Sequence, residues 1–245
     1  MESDHYIDIV VRTIHQAYES QRATFTACAE VLADAIQNRH SVYVFGCSHA
    51  GILAEEMFYR SGGLAVINPI FFPGFMLNTR PITMTSALER VDGIAPTLLE
   101  QNHVKKDDVL LIHSVTGRNN VPVEMALCAA ERGVHTICLT SLESSSRTVS
   151  RHKSGKRLFE CCELVLDNGG VPGDAAVEPE GLGQAMAPTS TAVGSALLNA
   201  LLVETVEILL ARGIVPPVFR SANLDGGDEW NQRLFQEYAD RIFYM

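Results

Sequence analysis

The sequence predicts an α/β fold, a parallel sheet with helices on both faces. Three observations lead there. Short apolar runs recur along the chain, each the length of a strand buried on both sides. Most are followed by a stretch whose apolar residues fall at helical spacing. The joints between run and helix are short and made of small polar residues and glycine. Strands and helices that alternate in this way pack as parallel strands joined by right-handed crossovers.

The composition agrees. The chain has 245 residues, of which 47% are apolar and 20% charged, enough for a sizeable core and too apolar for disorder. Its formal net charge is −10, and the one basic grouping is Arg147, Arg151, Lys153, Lys156 and Arg157. That balance argues against nucleic-acid binding and leaves a place for a phosphorylated small molecule. The polar, acidic start, Met-Glu-Ser-Asp-His-Tyr, is not a signal peptide, and no uninterrupted apolar stretch suits a membrane span. A cytoplasmic protein is expected. The six cysteines, Cys28, Cys47, Cys128, Cys138, Cys161 and Cys162, match no zinc ribbon or redox pair and read as reduced core thiols. With His and Cys away from ligand spacing, neither a transition metal nor another cofactor is expected.

Residues 5 to about 38 carry apolar side chains at helical intervals, which predicts a long amphipathic N-terminal helix or a bent pair. Ser41–Phe45 is the first buried strand. Gly46-Cys47-Ser48-His49-Ala50-Gly51 turns the chain into a helix over Ile52–Arg60. Leu64–Asn68 is the second strand, and the proline-rich stretch 69–82 is a loop. Residues 83–104 hold one or two short helices with a break at Pro96. The strand ending at His113 runs into Ser114-Val115-Thr116-Gly117-Arg118-Asn119 and then a helix to Arg132, with Gly133 in the usual place just past a helix end. Val134–Ser141 is a further buried strand ending in two hydroxyls, and Cys162–Asp167 is the fifth. Residues 168–188 form a long loop without periodicity, the kind that is functional in a compact domain. Pro188-Thr189-Ser190-Thr191 opens a strongly apolar helix to about Arg212, and a C-terminal extension covers about 213–245. No domain boundary is visible, so residues 1–245 are expected to form a single domain.

Ligands of open parallel sheets bind beyond the carboxyl ends of the strands. The hydroxyl-rich turns after residues 45, 113 and 139 all lie there, and the cap at 189–191 can join them. Free N–H groups, small hydroxyls and a positive helix end together hold an anion, most often phosphate.

Gly46-Cys47-Ser48, Ser114-Val115-Thr116-Gly117-Arg118-Asn119 and Thr140-Ser141, in this order, resemble the sugar isomerase (SIS) domain. The stretch from Gly173-Asp174 through Glu180-Gly181-Leu182 to Pro188-Thr189-Ser190-Thr191 resembles a less characterised single-domain branch of that family. The resemblance covers about residues 5–235. It implies a three-layer αβα sandwich around a five-stranded parallel flavodoxin-like sheet, and a homodimer or homotetramer in which helices pair across subunits. It implies a sugar-phosphate site containing Gly46, Ser48, His49, Ser114, Thr116, Gly117, Asn119, Thr140, Ser141, Thr189 and Ser190. The family includes aldose–ketose phosphosugar isomerases, an etherase acting on an amino-sugar phosphate, and sugar-phosphate-sensing modules. Two departures stand out. Some family isomerases carry a catalytic Glu in a Thr-x-Phe-Glu pattern, where this chain has Thr191-Ala192-Val193-Gly194. Metal-dependent heptose-phosphate isomerases carry a helical His where this chain has Ile52.

An aldose–ketose isomerase moves a proton between two carbons through an enediol and needs a carboxylate or His as base. Glu55, on the helix behind the first turn, and Glu178 and Glu180, on a loop able to close as a lid, are the leading choices; Glu56, His49, His113 and Glu204 follow. The expected function is therefore a phosphosugar isomerase acting on a sugar phosphate or amino-sugar phosphate. A non-catalytic sugar-phosphate-binding module is the alternative, favoured by the missing Glu at 194. A pure anion binder gains nothing from the acidic loop at 174–180, which favours the enzyme.

Overall fold

Five short strands carry the architecture: Val42–Gly46 (β1), Ile67–Pro69 (β2), Val109–His113 (β3), His135–Thr140 (β4) and Leu164–Asp167 (β5). In the computed structural model, which describes residues 1–245, they form one parallel sheet in the order β2-β1-β3-β4-β5. Successive strand residues point to opposite faces. Accordingly Val42, Val44, Val109 and Leu111 enter one core, and Tyr43, Phe45, Leu110 and Ile112 enter the other. The first core is covered by Glu2–Ser20 (α1), Arg22–Gln37 (α2), Ile52–Met57 (α3) and Ser190–Ala211 (α8). The second lies under Ala95–Gln101 (α5) and Asn120–Glu131 (α6). Met84–Leu88 (α4), Leu142–Ser146 (α7) and Gly227–Glu237 (α9) complete the set. The result is the expected three-layer αβα sandwich with a flavodoxin-like sheet order.

Several boundaries differ from the sequence reading. The N-terminal segment is the bent pair, the second of the two expected forms, and the break, which the sequence did not place, falls at Gln21. There the side chain leaves the helix path to pair with the backbone of Asp167. Its Nε2 donates to Asp167 O at 2.7 Å, and its Oε1 accepts from Asp167 N at 2.8 Å. The second strand starts later, at Ile67, because residues 62–65 pair with the C-terminal segment instead. Gly62 N donates to Phe219 O (3.0 Å) and Ala65 N to Pro217 O (2.8 Å). β2 is an edge strand, where Pro69 costs no ladder bond. Pro96 does not break a helix. It sits in the first turn of α5, where its missing N–H is harmless. The 168–188 loop contains a small hairpin closed by an antiparallel bridge between Val177 and Met186.

α8 is strongly apolar and, by length and composition, resembles a membrane-crossing helix. Here it packs on α1, α2 and α3. Gly194 makes the α3 contact possible, since a Cβ there would lie 2.7 Å from Leu53 Cδ1. The residues after Gly213 close the β2 edge. Asn68 Nδ2 donates to Arg241 O (2.8 Å) while Asn68 Oδ1 accepts from Phe243 N (2.7 Å), and Tyr238 and Ile242 join the first core.

Candidate functional site

The sheet order makes β1 and β3 neighbours although β2 lies between them in sequence, so a crevice opens beyond their carboxyl ends. Gly46 is level with His113 in the register. After Gly46 the chain doubles back so tightly that a Cβ at this position would lie 2.4 Å from Ala50 O. Ser48 takes a left-handed conformation (φ 57) and opens a single turn of 3₁₀ helix before α3. Ala50 O lies 3.1 Å from His113 Nδ1. A carbonyl only accepts, so Nδ1 carries the proton and donates it, and the two turns are tied together. His113 Nε2 is then a bare, buried acceptor without a partner. Burial lowers the His113 pKa to about 4; the hydrogen bond to Ala50 and the Asp174 carboxylate pull the other way.

The second turn is Ser114–Asn119. Ser114 Oγ accepts from Gly117 N at 3.3 Å. Gly117 is left-handed (φ 55) and lies against Leu158 and Ser145. Thr116 and Asn119 are half-buried at the mouth, just before α6. Asn119 Oδ1 accepts from Arg151 Nη1 at 2.5 Å, and Arg151 N donates to Arg118 O at 2.8 Å. The basic segment noted in the sequence is thus folded against this turn.

The third wall is α4 and the residues after it. Thr85 Oγ1 lies 3.4 Å from Ser48 Oγ. Glu89, one helical turn later, is half-buried, and its backbone carbonyl accepts from Val121 N in the first turn of α6 (3.1 Å). Burial raises the Glu89 pKa, with Asn119, Arg90 and Arg151 offsetting part of the rise. Glu89 also helps burial raise the pKa of the Cys47 thiol. A carboxylate whose proton affinity is raised by burial, between two hydroxyl-rich turns, suits general acid–base chemistry.

The structure brings Gly46, Ser48, Ser114, Thr116, Gly117 and Asn119 together, with His49 exposed at the rim. Glu55 is exposed and lines a narrow cleft with Gly46 and Ser48. The remaining expected residues stand elsewhere. Thr140 is fully buried and donates to Val115 O at 3.0 Å. Ser141 is also fully buried, donates to Gly170 O and accepts from Ser144 N as the cap of α7. Both hydroxyls are committed to hydrogen bonds inside the protein. Thr189 N and Ser190 N donate to Asp174 Oδ1 (3.1 and 3.0 Å), and Ser190 Oγ bonds Asp174 Oδ2. The anion at this helix start is therefore the protein's own. Glu178 and Glu180 sit exposed on the hairpin, which lies beside the first turn of α1, where Tyr6 OH donates to Pro188 O (2.8 Å). Glu204 is taken by Arg22 and Thr26 of α2, and Glu56 by Arg60 and Asn199.

Sequence reasoning missed Glu89. Its helix has five residues, too few for a periodic signal, although Thr85 and Glu89 stand at the i, i+4 spacing of one helix face.

Residues 5–141, which include both turns and Glu89, match the SIS domain. The chain belongs to the SIS-domain family. Among relatives of this SIS-domain protein, a UPF0309 protein of Oceanobacillus iheyensis is 49% identical over 240 residues, covering 98% of each chain. A UPF0309 protein of Shouchella clausii is 48% identical over 242 residues, covering 99% of this chain and 98% of its own. Among solved structures, a phosphoheptose isomerase from Francisella tularensis superposes with a TM-score of 0.55 at 12% identity, over 84% of this chain and 97% of that one. The phosphoheptose isomerase GmhA from Neisseria gonorrhoeae gives 0.51 at 15% identity, over 86% and 97%. At such identities the shared property is the fold.

The Gly194 departure has a structural reason. The position faces Leu53 and Leu139 in the core, where a carboxylate would be buried without a partner.

Proposed function

We propose that this protein binds a phosphorylated sugar or amino sugar in the β1/β3 crevice and moves a proton on it through an enediol. Ser48, Ser114, Thr116 and Asn119, with the N–H groups of the two turns, would hold the phosphate. Glu89 would act as the base, in place of the sequence's first choices. The observation that carries this reading is Glu89 itself: a burial-raised carboxylate beside both turns. Deprotonated, it would take the proton from the carbon next to the carbonyl; protonated, it would return it to the neighbouring carbon. Glu55, which lines the narrow cleft with Gly46 and Ser48, would handle a hydroxyl proton. The neutral His113 ring would fix the β1 turn rather than titrate in the reaction.

The alternative is a module that binds the sugar phosphate without turnover; Gly194, where some isomerases carry Glu, favours it. The test is incubation with a panel of hexose and amino-sugar phosphates in heavy water, followed by NMR. Deuterium entering the carbon next to the carbonyl supports the enzyme. Thermal stabilisation by a panel member with no exchange supports the module. Neither effect with any member would contradict both readings.

A further inference from the structure

A second cluster lies behind the crevice wall, assembled from three segments distant in sequence. Asp92 follows α4, Glu124 is in α6, and His152 lies between α7 and β5. One ligand atom from each lies within 4.8 Å of the others. Glu124 and His152 are only 8% and 6% exposed, and Asp92 closes the cluster from the solvent side. No Lys or Arg forms an ion pair with either carboxylate. Buried charge is normally paired or metal-bound.

The surroundings orient the donors as outer-shell groups orient ligands. Gly93 N donates to both Glu124 oxygens (2.9 and 3.0 Å) and Ala95 N to Oε2 (3.2 Å). Asn120 Nδ2 donates to Asp92 Oδ1 at 2.7 Å. His152 Nδ1 accepts from Ser154 N at 3.2 Å and lies 2.8 Å from Ser154 Oγ, whose oxygen accepts from Lys156 N at 3.2 Å. Nδ1 is therefore an acceptor, and Nε2 carries the proton. A cation bound at Nε2 would shift that proton to Nδ1, which would then donate to Ser154 Oγ.

We propose that Asp92, Glu124 and His152 bind one divalent first-row transition ion, with water completing its coordination. Two carboxylates and one imidazole suit Mn²⁺, Fe²⁺ or Zn²⁺ better than Ca²⁺ or Mg²⁺, which prefer oxygen alone. Spacing within single segments predicted no metal; the fold supplies the ligands from three. Each ligand adjoins a crevice element: Asp92 follows Glu89 by three residues, Glu124 is in the helix after Asn119, and His152 follows Arg151. The ion would clamp the outer wall of the crevice. The proposal stands whether or not the crevice is catalytic.

The test is calorimetric titration of the chelator-stripped full-length protein with Mn²⁺ and, separately, Zn²⁺, with thermal melts alongside. Mn²⁺ guards against binding at the cysteines, since it disfavours thiolate. The expected result is one ion per chain and a raised Tm. Asp92→Asn, at an exposed position that keeps its oxygen for Asn120, should weaken binding by about tenfold or more and abolish the Tm rise, a loss at least as large as that from an outer-shell partner. His152→Gln should do the same; if it does not fold, Asp92→Asn decides alone. Absence of saturable binding by either ion, or unchanged affinity in Asp92→Asn, would overturn the proposal.

Discussion

Asp174→Ala isolates the joint between the acidic hairpin and α8. The wild-type carboxylate accepts three hydrogen bonds there, from Thr189 N, Ser190 N and Ser190 Oγ. Thr189 and Ser190 are only 2% and 5% exposed, so water cannot readily replace the lost acceptor. Cap replacement by Ala usually costs about 0.5–2 kcal/mol, and burial of the freed donors places this case near the upper end, at about 2 kcal/mol. For a chain of this size that corresponds to a fall in Tm of about 4–8 °C. Asp174→Asn keeps an oxygen acceptor and loses mainly the charge at the helix start, at about 0.3–1 kcal/mol. Urea unfolding of the two variants gives the comparison. Asp174→Ala within about 0.5 kcal/mol of wild type, the usual range of a neutral surface change, would refute the reasoning, as would equal losses in the two variants. Ser190→Ala should leave sugar-phosphate affinity unchanged, because its hydroxyl already serves Asp174.

Ser114→Ala combined with Thr116→Ala should remove two hydrogen bonds to a charged group, each about 1.5–3 kcal/mol, and unchanged affinity for sugar phosphates would place the phosphate elsewhere. His113 gives a pH signature. Its folded pKa, about 4, lies below the ordinary 6.5, so the unfolded chain takes up the proton first as pH falls. This contribution to stability is complete above about pH 6.5 and is lost between there and pH 4, with a slope of at most about 1.4 kcal/mol per unit. A His113→Gln variant should show a shallower acid slope in urea titrations, and parallel slopes would contradict the assignment. Ile7, Val11, Val203 and Leu210 remain exposed on α1 and α8, so a dimer or larger assembly is expected. Sedimentation as a stable monomer at micromolar concentration would rule it out.

The central strands were legible in the sequence because both their faces are buried, which leaves a continuous apolar run with a polar turn after it. The turns at Gly46 and Ser114 were legible for the same reason. What escaped depends on tertiary partners. Gln21 breaks the N-terminal segment by bonding to β5, 146 residues away, and no local signal marks it. β2 begins late because the C-terminal segment captures residues 62–65. The hydroxyls of Thr140 and Ser141 resemble those of Ser114 and Thr116 in sequence, and only burial separates them. The small hairpin within residues 168–188 rests on a bridge between Val177 and Met186 that no periodicity marks. Glu89 and the Asp92–Glu124–His152 cluster arise from segments that the crossovers bring together.

The central claim is proton transfer by Glu89 on a bound phosphosugar. It is tested most directly by measuring solvent deuterium exchange and sugar-phosphate affinity together in Glu89→Gln. The account predicts that affinity is kept while exchange falls by roughly a hundredfold or more, the usual scale for a general acid–base group. Wild-type exchange rates in Glu89→Gln would contradict it.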